Sequence, residues 1–180
     1  MKSKSLHPFD LLLEIDQRSR GRADAEMETT QATGIVGRLA LQLGAWNLLL
    51  LMQDITEIIP VPQVSRVPGV KPWLLGIANL RGTVISIIDL HQYLGGKPST
   101  ITPSSRVVVV SSGEWEYGLL INGVIGMRHF GPENRVPNFD TIDAKLRPFL
   151  AEAFNGEGKV WLAFSVNRLL NEPGFLNAAI

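Results

Sequence analysis

The sequence predicts an all-β barrel protein with short helices, and three observations carry that prediction. Its apolar runs are short and rich in β-branched residues, as in Val107-Val108-Val109-Val110 or Val84-Ile85 with Ile87-Ile88. Turn-forming groups such as Gly44-Ala45, Gly95-Gly96-Lys97-Pro98 and Ser111-Ser112-Gly113 separate them at strand-length intervals. Leu39, Leu41 and Leu43 alternate with Arg38, Ala40 and Gln42, the period of a half-buried strand. Closing such strands into a barrel removes exposed edges that would otherwise pair with other chains.

Each element follows from local pattern. Residues 7–20 cluster Phe9, Leu12, Leu13 and Ile15 against Asp16, Arg18 and Arg20, an amphipathic helical pattern. Residues 21–34 carry almost no large apolar side chain and read as a flexible connector. Residues 36–43 are the first strand; Gly44-Ala45 turns into residues 46–52, and residues 55–59 continue the pattern. Val67-Pro68-Gly69 is a turn, since proline holds φ near its turn value and glycine accepts a positive one. Residues 71–78, with Trp73, Leu74, Leu75 and Ile77, read as one or two turns of helix, broken by Asn79-Leu80-Arg81-Gly82. Residues 83–90 are a strand; residues 106–110 and 116–121 bracket a hairpin turn at Ser111-Ser112-Gly113, and residues 124–130 are again β. Residues 146–154 read as helix, residues 159–166 as the last strand, and residues 167–170 as a terminal helix. One folded domain is expected over residues 35–170, followed by a tail at 171–180. The chain suggests two halves meeting near residues 95–105, without a clean internal repeat.

Composition narrows the function. Lys plus Arg and Asp plus Glu both number 17, so the 180-residue chain has no net formal charge. That removes the basic footprint of a nucleic-acid or anionic-membrane binder. With no cysteine, disulfides, thiolate metal sites and cysteine nucleophiles are excluded. No stretch approaches the roughly 20 apolar residues of a membrane span.

The usual signatures of catalysis are missing too. His7, His91 and His129 are scattered and start no metal-ligand spacing, and His91 is expected at a strand end facing solvent. Gly96-Lys97-Pro98-Ser99-Thr100 has proline where a phosphate loop needs serine or threonine, and His91 where it needs glycine. Asp140 and Asp143 lack calcium-loop spacing, and no serine lies in a nucleophile elbow. No enzyme activity, cofactor or metal is expected.

The informative stretch is residues 67–90, where a polar tetrapeptide, Asn79-Leu80-Arg81-Gly82, stands directly before an apolar strand. Arg81 has two readings: a guanidinium capping local carbonyls, or a multi-donor group presented to a partner. Glu57 is either the exposed member of an alternating strand or a contact residue. Gly76 offers close approach, of neighbouring backbone or of a partner. Trp73 reads as core, or as an anchor if exposed.

These residues resemble the CheW family of chemosensory adaptors, whose signature is an apolar helix, Asn-Leu-Arg-Gly, and a hydrophobic strand ending in Asp-Leu, here Asp89-Leu90. The resemblance spans residues 36–170 and is strongest over 38–95. It weakens at Leu119-Leu120-Ile121-Asn122 and at Leu162-Ala163-Phe164-Ser165, where the family favours aspartate. It implies a mainly β fold of two intertwined five-stranded SH3-like barrels with short helices. It also implies a non-enzymatic cytoplasmic adaptor, recruited to membrane-bound receptor arrays without inserting itself. The implied partners are a CheA-type histidine kinase, through its CheW-like regulatory domain, and the cytoplasmic tip of a methyl-accepting chemoreceptor. Arg81, Glu57, Ile55, Gly76 and Asn79 are the implied protein-binding residues. Pro8-Phe9-Asp10-Leu11-Leu12, the Val67–Trp73 turn and Pro148-Phe149-Leu150 resemble the branch serving type IV pili and twitching motility. The alternative reading is a barrel binding single-stranded nucleic acid, for which Arg128-His129-Phe130 is the one basic-aromatic cluster on a strand.

Overall fold

The computed structural model describes residues 36–137 and 142–179. The expected N-terminal helix and connector (residues 1–34) lie outside that range, as does Asp140. The described strands are β1 (Val36–Leu43), β2 (Trp46–Leu51), β3 (Glu57–Pro60), β4 (Leu74–Leu80), β5 (Thr83–Asp89), β6 (Arg106–Ser112), β7 (Trp115–Ile121), β8 (Gly123–Phe130), β9 (Leu150–Gly156) and β10 (Lys159–Phe164). Three short helices accompany them: α1 (Leu90–Tyr93), α2 (Val166–Leu170) and α3 (Pro173–Leu176). The strands make two five-stranded sheets, ordered β3-β6-β7-β5-β4 and β8-β1-β2-β10-β9.

Each sheet curls until its outer strands meet through the segment that follows the first of them. After β3, Ser65 exchanges backbone hydrogen bonds with Ile77 of β4 at 2.8 and 2.9 Å. After β8, the Val136 amide donates to the Ala153 carbonyl of β9 at 2.8 Å. We call the β3–β7 unit the first barrel and the other the second. The chain does not divide into sequential halves near residues 95–105: the second barrel takes β1 and β2 from the start and β8–β10 from the end, with the first barrel nested between.

The barrels are copies of one motif, related by a circular shift of strand order. In both, an antiparallel hairpin (β6–β7 or β1–β2) pairs in parallel with a third strand (β5 or β10), which pairs antiparallel with its predecessor. The match extends to register. β4 skips Leu75 between Leu74 and Gly76, and β9 skips Ala151 between Leu150 and Glu152, each an extra residue at the same distance from its turn. Asp89 caps α1 by accepting from the Gln92 amide at 3.1 Å, and Ser165 caps α2 by accepting from Arg168 at 3.3 Å. Serine at 165 therefore performs in the second barrel the capping task that aspartate performs at 89 in the first.

Burial explains why several strands show unbroken apolar runs. Val107 and Val109 point into the first barrel with Ile59, Ala78, Ile85, Ile87 and Leu120. Val108 and Val110 point the other way, into a larger core shared with Leu39, Leu48, Leu50, Leu162 and Phe164 of the second barrel. Ala40, Leu49, Phe130, Phe154, Trp161 and Ala163 fill the second barrel's own interior. A strand buried on both faces loses the alternation of a half-buried one.

Five further sequence expectations are corrected. Residues 71–78 and 146–154 are not helical: they hold β4, and a single 3-10 turn (Arg147–Phe149) leading into β9. The expected turn at Ser111-Ser112-Gly113 lies further along, at Gly113-Glu114, because Ser112 still pairs with Trp115. His91 is not at a strand end facing solvent; it belongs to α1, where Nδ1 donates to the Lys97 carbonyl at 2.8 Å and the ring packs edge-on against Trp46. Residues 171–179 are not a tail beyond the domain. Phe175 is buried against Trp73, Tyr93 and Tyr117, and the Lys71 amide donates to the Ala178 carbonyl at 2.8 Å.

Candidate functional site

The polar tetrapeptide is the β4–β5 hairpin. Leu80 pairs with Thr83, leaving Arg81-Gly82 as a two-residue loop with φ of 52° and 95°. Two positive φ values are what a hairpin turn matched to strand twist requires, so Gly82 fits and Arg81 is held in a conformation L-residues avoid. Asn79 stabilises the loop, its Oδ1 accepting from the Gly82 amide at 2.9 Å. The turn thrusts Arg81 outward: its side chain is 80% exposed, and Nη2 reaches Glu57 Oε2 at 3.0 Å. Glu57, 24% exposed, begins β3 on the opposite outer edge, so the pair spans the seam where the first barrel closes.

The remaining predicted residues lie around this seam with different jobs. Ile55 is half-buried and packs on the shared core, anchoring the strand that presents Glu57. Just before it, burial holds the Asp54 carboxyl above its ordinary pKa. Gly76 is buried with φ 143°, and a Cβ there would lie 2.1 Å from the Ser65 carbonyl oxygen. Its close approach is therefore to neighbouring backbone. Gly76 lets residues 61–65 lie along β4, forming a wall of an open groove of about 450 Å³ lined by Pro62, Gln63, Ser65, Ile77, Asn79 and Val84. Ile77 and Val84 are exposed apolar groups on that groove, and the sequence does not single them out because they share apolar strands with buried Ala78, Ile85, Ile87 and Ile88. Trp73 is half-buried and stacks on Phe175, a core role.

Elsewhere the geometry is structural. Asp89 is buried and also accepts from the Ser99 amide and hydroxyl at 2.6 and 2.7 Å, so the Gly96–Thr100 loop is fastened to α1's cap. Asp143 accepts from the Lys145 amide at 2.9 Å. Among the described residues no cluster of three histidine or carboxylate side chains could hold a metal ion. No described helix is long and apolar enough to cross a membrane. Of the basic-aromatic cluster, Phe130 is buried and stacks on Phe154, while Arg128 is engaged by Glu157 at 3.1 Å. Of the cluster's two rings, only the His129 imidazole stays exposed.

The family profile described as CheW-like domain matches residues 39–174. The chain belongs to the CheW-like family. Within it, this chain is 34% identical to Protein PilI of Pseudomonas aeruginosa over 96% of its own length and 97% of that protein's. It is 36% identical to the chemotaxis protein CheW of Bacillus subtilis over 32% of its own length and 37% of that protein's. Among solved structures, the scaffolding protein TtCheW of Thermoanaerobacter tengcongensis superposes with a TM-score of 0.65 at 21% identity, covering 77% of this chain and 94% of that one. The expected CheW-like fold is thereby established, and the likeness to PilI extends through the N-terminal region that the family profile leaves unmatched.

Proposed function

We propose that this CheW-like chain is a non-enzymatic adaptor that couples a chemoreceptor to a CheA-type histidine kinase, in a chemosensory system controlling type IV pili and twitching motility. The similarity to PilI along nearly the whole chain carries this reading. One surface would receive the kinase's CheW-like regulatory domain and another the cytoplasmic tip of the receptor hairpin, with the protein working in the cytoplasm at membrane-bound arrays. Arg81 and Glu57 present charge at the seam of the first barrel, Asn79 holds the turn, and Ile55 and Gly76 set the backbone beneath it. Adaptors of this kind act by fixing geometry, and multivalency in an array strengthens contacts that are weak one by one.

The test pairs stability with binding. Arg81→Ala and the partly buried Glu57→Ala should each shift folding stability by less than about 0.5 kcal/mol, as surface substitutions usually do. Affinity for a receptor-tip fragment or a kinase regulatory domain should fall by about 2–5 kcal/mol if the truncated charge makes a desolvated contact. Glu57→Ala should act mainly on the receptor and Arg81→Ala more widely. Full-affinity binding by both variants would remove the site; no binding of either fragment by wild type would remove the reading.

A further inference from the structure

The β6–β7 hairpin carries the most exposed large apolar side chain among the described residues. Trp115 is 72% exposed and follows the Gly113-Glu114 turn, paired with Ser112. The other three tryptophans are put to use by the fold: Trp161 fills the second barrel, and Trp46 and Trp73 pack on the shared core. Trp115 alone of the four is left in water, where an indole forgoes the free energy its burial would release.

Its neighbours extend the patch. β5 and β7 pair in parallel with Ser86 opposite Tyr117, so two residues nearer the turns Val84 stands beside Trp115. β4 and β5 pair with Ile77 opposite Ser86 and Asn79 opposite Val84. Side chains two apart along a strand share a face. Ile77, Val84 and Trp115 therefore lie on one outer face of the first barrel, with exposures of 38%, 61% and 72%. Ile77 and Val84 also line the open groove of about 450 Å³ walled by Pro62, Gln63 and Ser65. A protruding indole thus sits beside an apolar groove that could receive one. Charge is divided the same way. Exposed Glu114 precedes the indole, and the wall of the groove runs on into exposed Arg66.

A surface holding a knob beside a hole, with an acid at the knob and a base at the hole, is complementary to itself after a two-fold rotation. We propose that a second copy of this chain docks on this face, forming an isologous dimer in which each Trp115 enters the other copy's groove and each Glu114 meets the other's Arg66. The chain's zero formal charge adds no overall repulsion between the copies. Two indoles bury about 300–500 Å² between them. With Ile77 and Val84 added, the contact belongs to the small, transient class below about 1,200 Å². The inference goes beyond the adaptor reading and does not rest on it. It gives that reading one consequence: Asn79 lines the groove and holds the Arg81 turn, so a paired copy has this face covered against any other partner.

Sedimentation velocity on the full chain over a wide concentration range tests this, with tryptophan emission read alongside. Wild type should pass from monomer to dimer and stop there, and its emission should move to shorter wavelength as Trp115 leaves water. Trp115→Ser and Val84→Ser alter exposed side chains and should melt as wild type does. Each should weaken dimerisation by about ten-fold or more, the scale of a truncated anchor at an interface. Trp115→Ser should also abolish the emission shift. Arg66→Glu and Glu114→Arg should each weaken the dimer as well. The double reversal should restore it, and so should an equimolar mixture of the two single variants, because a mixed pair regains opposite charges at both contacts. A chain that stays monomeric, growth beyond a dimer, or a dimer unmoved by Trp115→Ser overturns the proposal. So does a double reversal that fails to restore pairing.

Discussion

Arg81-Gly82 and Glu157-Gly158, the two-residue loops of the β4–β5 and β9–β10 hairpins, both set a left-handed residue before a glycine of positive φ, yet carry tips of opposite charge. Their common features are those the fold needs: a left-handed residue, a glycine, an asparagine two positions before the tip, and an extra residue further down the strand. Their differences lie where the fold is indifferent: the sign of the tip, the sign of its partner, and the size of the neighbouring groove. A repeated scaffold holds the geometry constant, so whatever varies between its copies is free to serve recognition.

The largest expected effect concerns what each barrel borrows from the other. α3 follows the second barrel's last strand, yet its Phe175 stacks on Trp73 and packs edge-on against Tyr93, beside the first barrel. Phe175→Ala should cost about 3–5 kcal/mol, as for other buried aromatics. One cooperative denaturant transition shifted to lower midpoint would show the barrels fold as a unit; two separated transitions would show that the aromatic cluster stabilises only the first.

A second substitution probes the seams. At Gly76 an added methyl would meet the Ser65 backbone at a φ that L-residues rarely adopt, whereas the equivalent position in the second barrel holds Glu152, bound to Arg38 and Arg135. Gly76→Ala should therefore destabilise by about 3 kcal/mol, the combined scale of overpacking and backbone strain. Chemical denaturation measures it, and a loss under about 1 kcal/mol would mean that residues 61–65 yield easily and the seam is soft.

The tips themselves allow a sharper comparison. Asparagine tolerates left-handed backbone, so Arg81→Asn and Glu157→Asn should each raise stability, by up to about 1 kcal/mol. Similar gains at both tips would mean that the native side chains are kept for their charge. A loss at either tip would mean that its ion pair outweighs the strain.

The smallest effect is alkaline. Burial, and then the nearby Glu172, push the Tyr93 hydroxyl up to about 12 from the usual 10. The folded state holds this proton more tightly than the unfolded one, so its stabilising contribution is complete below the unfolded value. It is lost as pH rises from about 10 through about 12. Thermal melts across that interval should fall more steeply for wild type than for Tyr93→Phe.

The same equivalence explains what could be read from the sequence. Strands such as β1, β6 and β7 were legible because their alternation or β-branched runs have no helical counterpart. The two misread strands, β4 and β9, are each other's equivalents, and the cause is shared. The extra residue, Leu75 or Ala151, breaks the two-residue period and leaves apolar side chains at spacings a helix also produces. Arg81, Glu57 and Asn79 were findable from the tetrapeptide. Glu157 was not, because only Asn155 and Gly158 survive from that motif in the second copy, and the circular shift hides the repeat from any search for one constant period.

Nesting one barrel inside the other also sets the order in which they can be finished as the chain leaves the ribosome. Residues 57–121 contain every strand of the first barrel, so it can close while β8–β10 are still being synthesised. The β1–β2 hairpin emerges first yet must wait for the final strand, because β2 pairs in parallel with β10. Until then Ala40 and Leu49 lack Phe130, Phe154, Trp161 and Ala163, which fill the second barrel's interior with them, and leave a nascent apolar surface that a chaperone would recognise. Closing the second barrel spans nearly the whole described chain, so that step, with its large loop entropy, should limit the rate of folding.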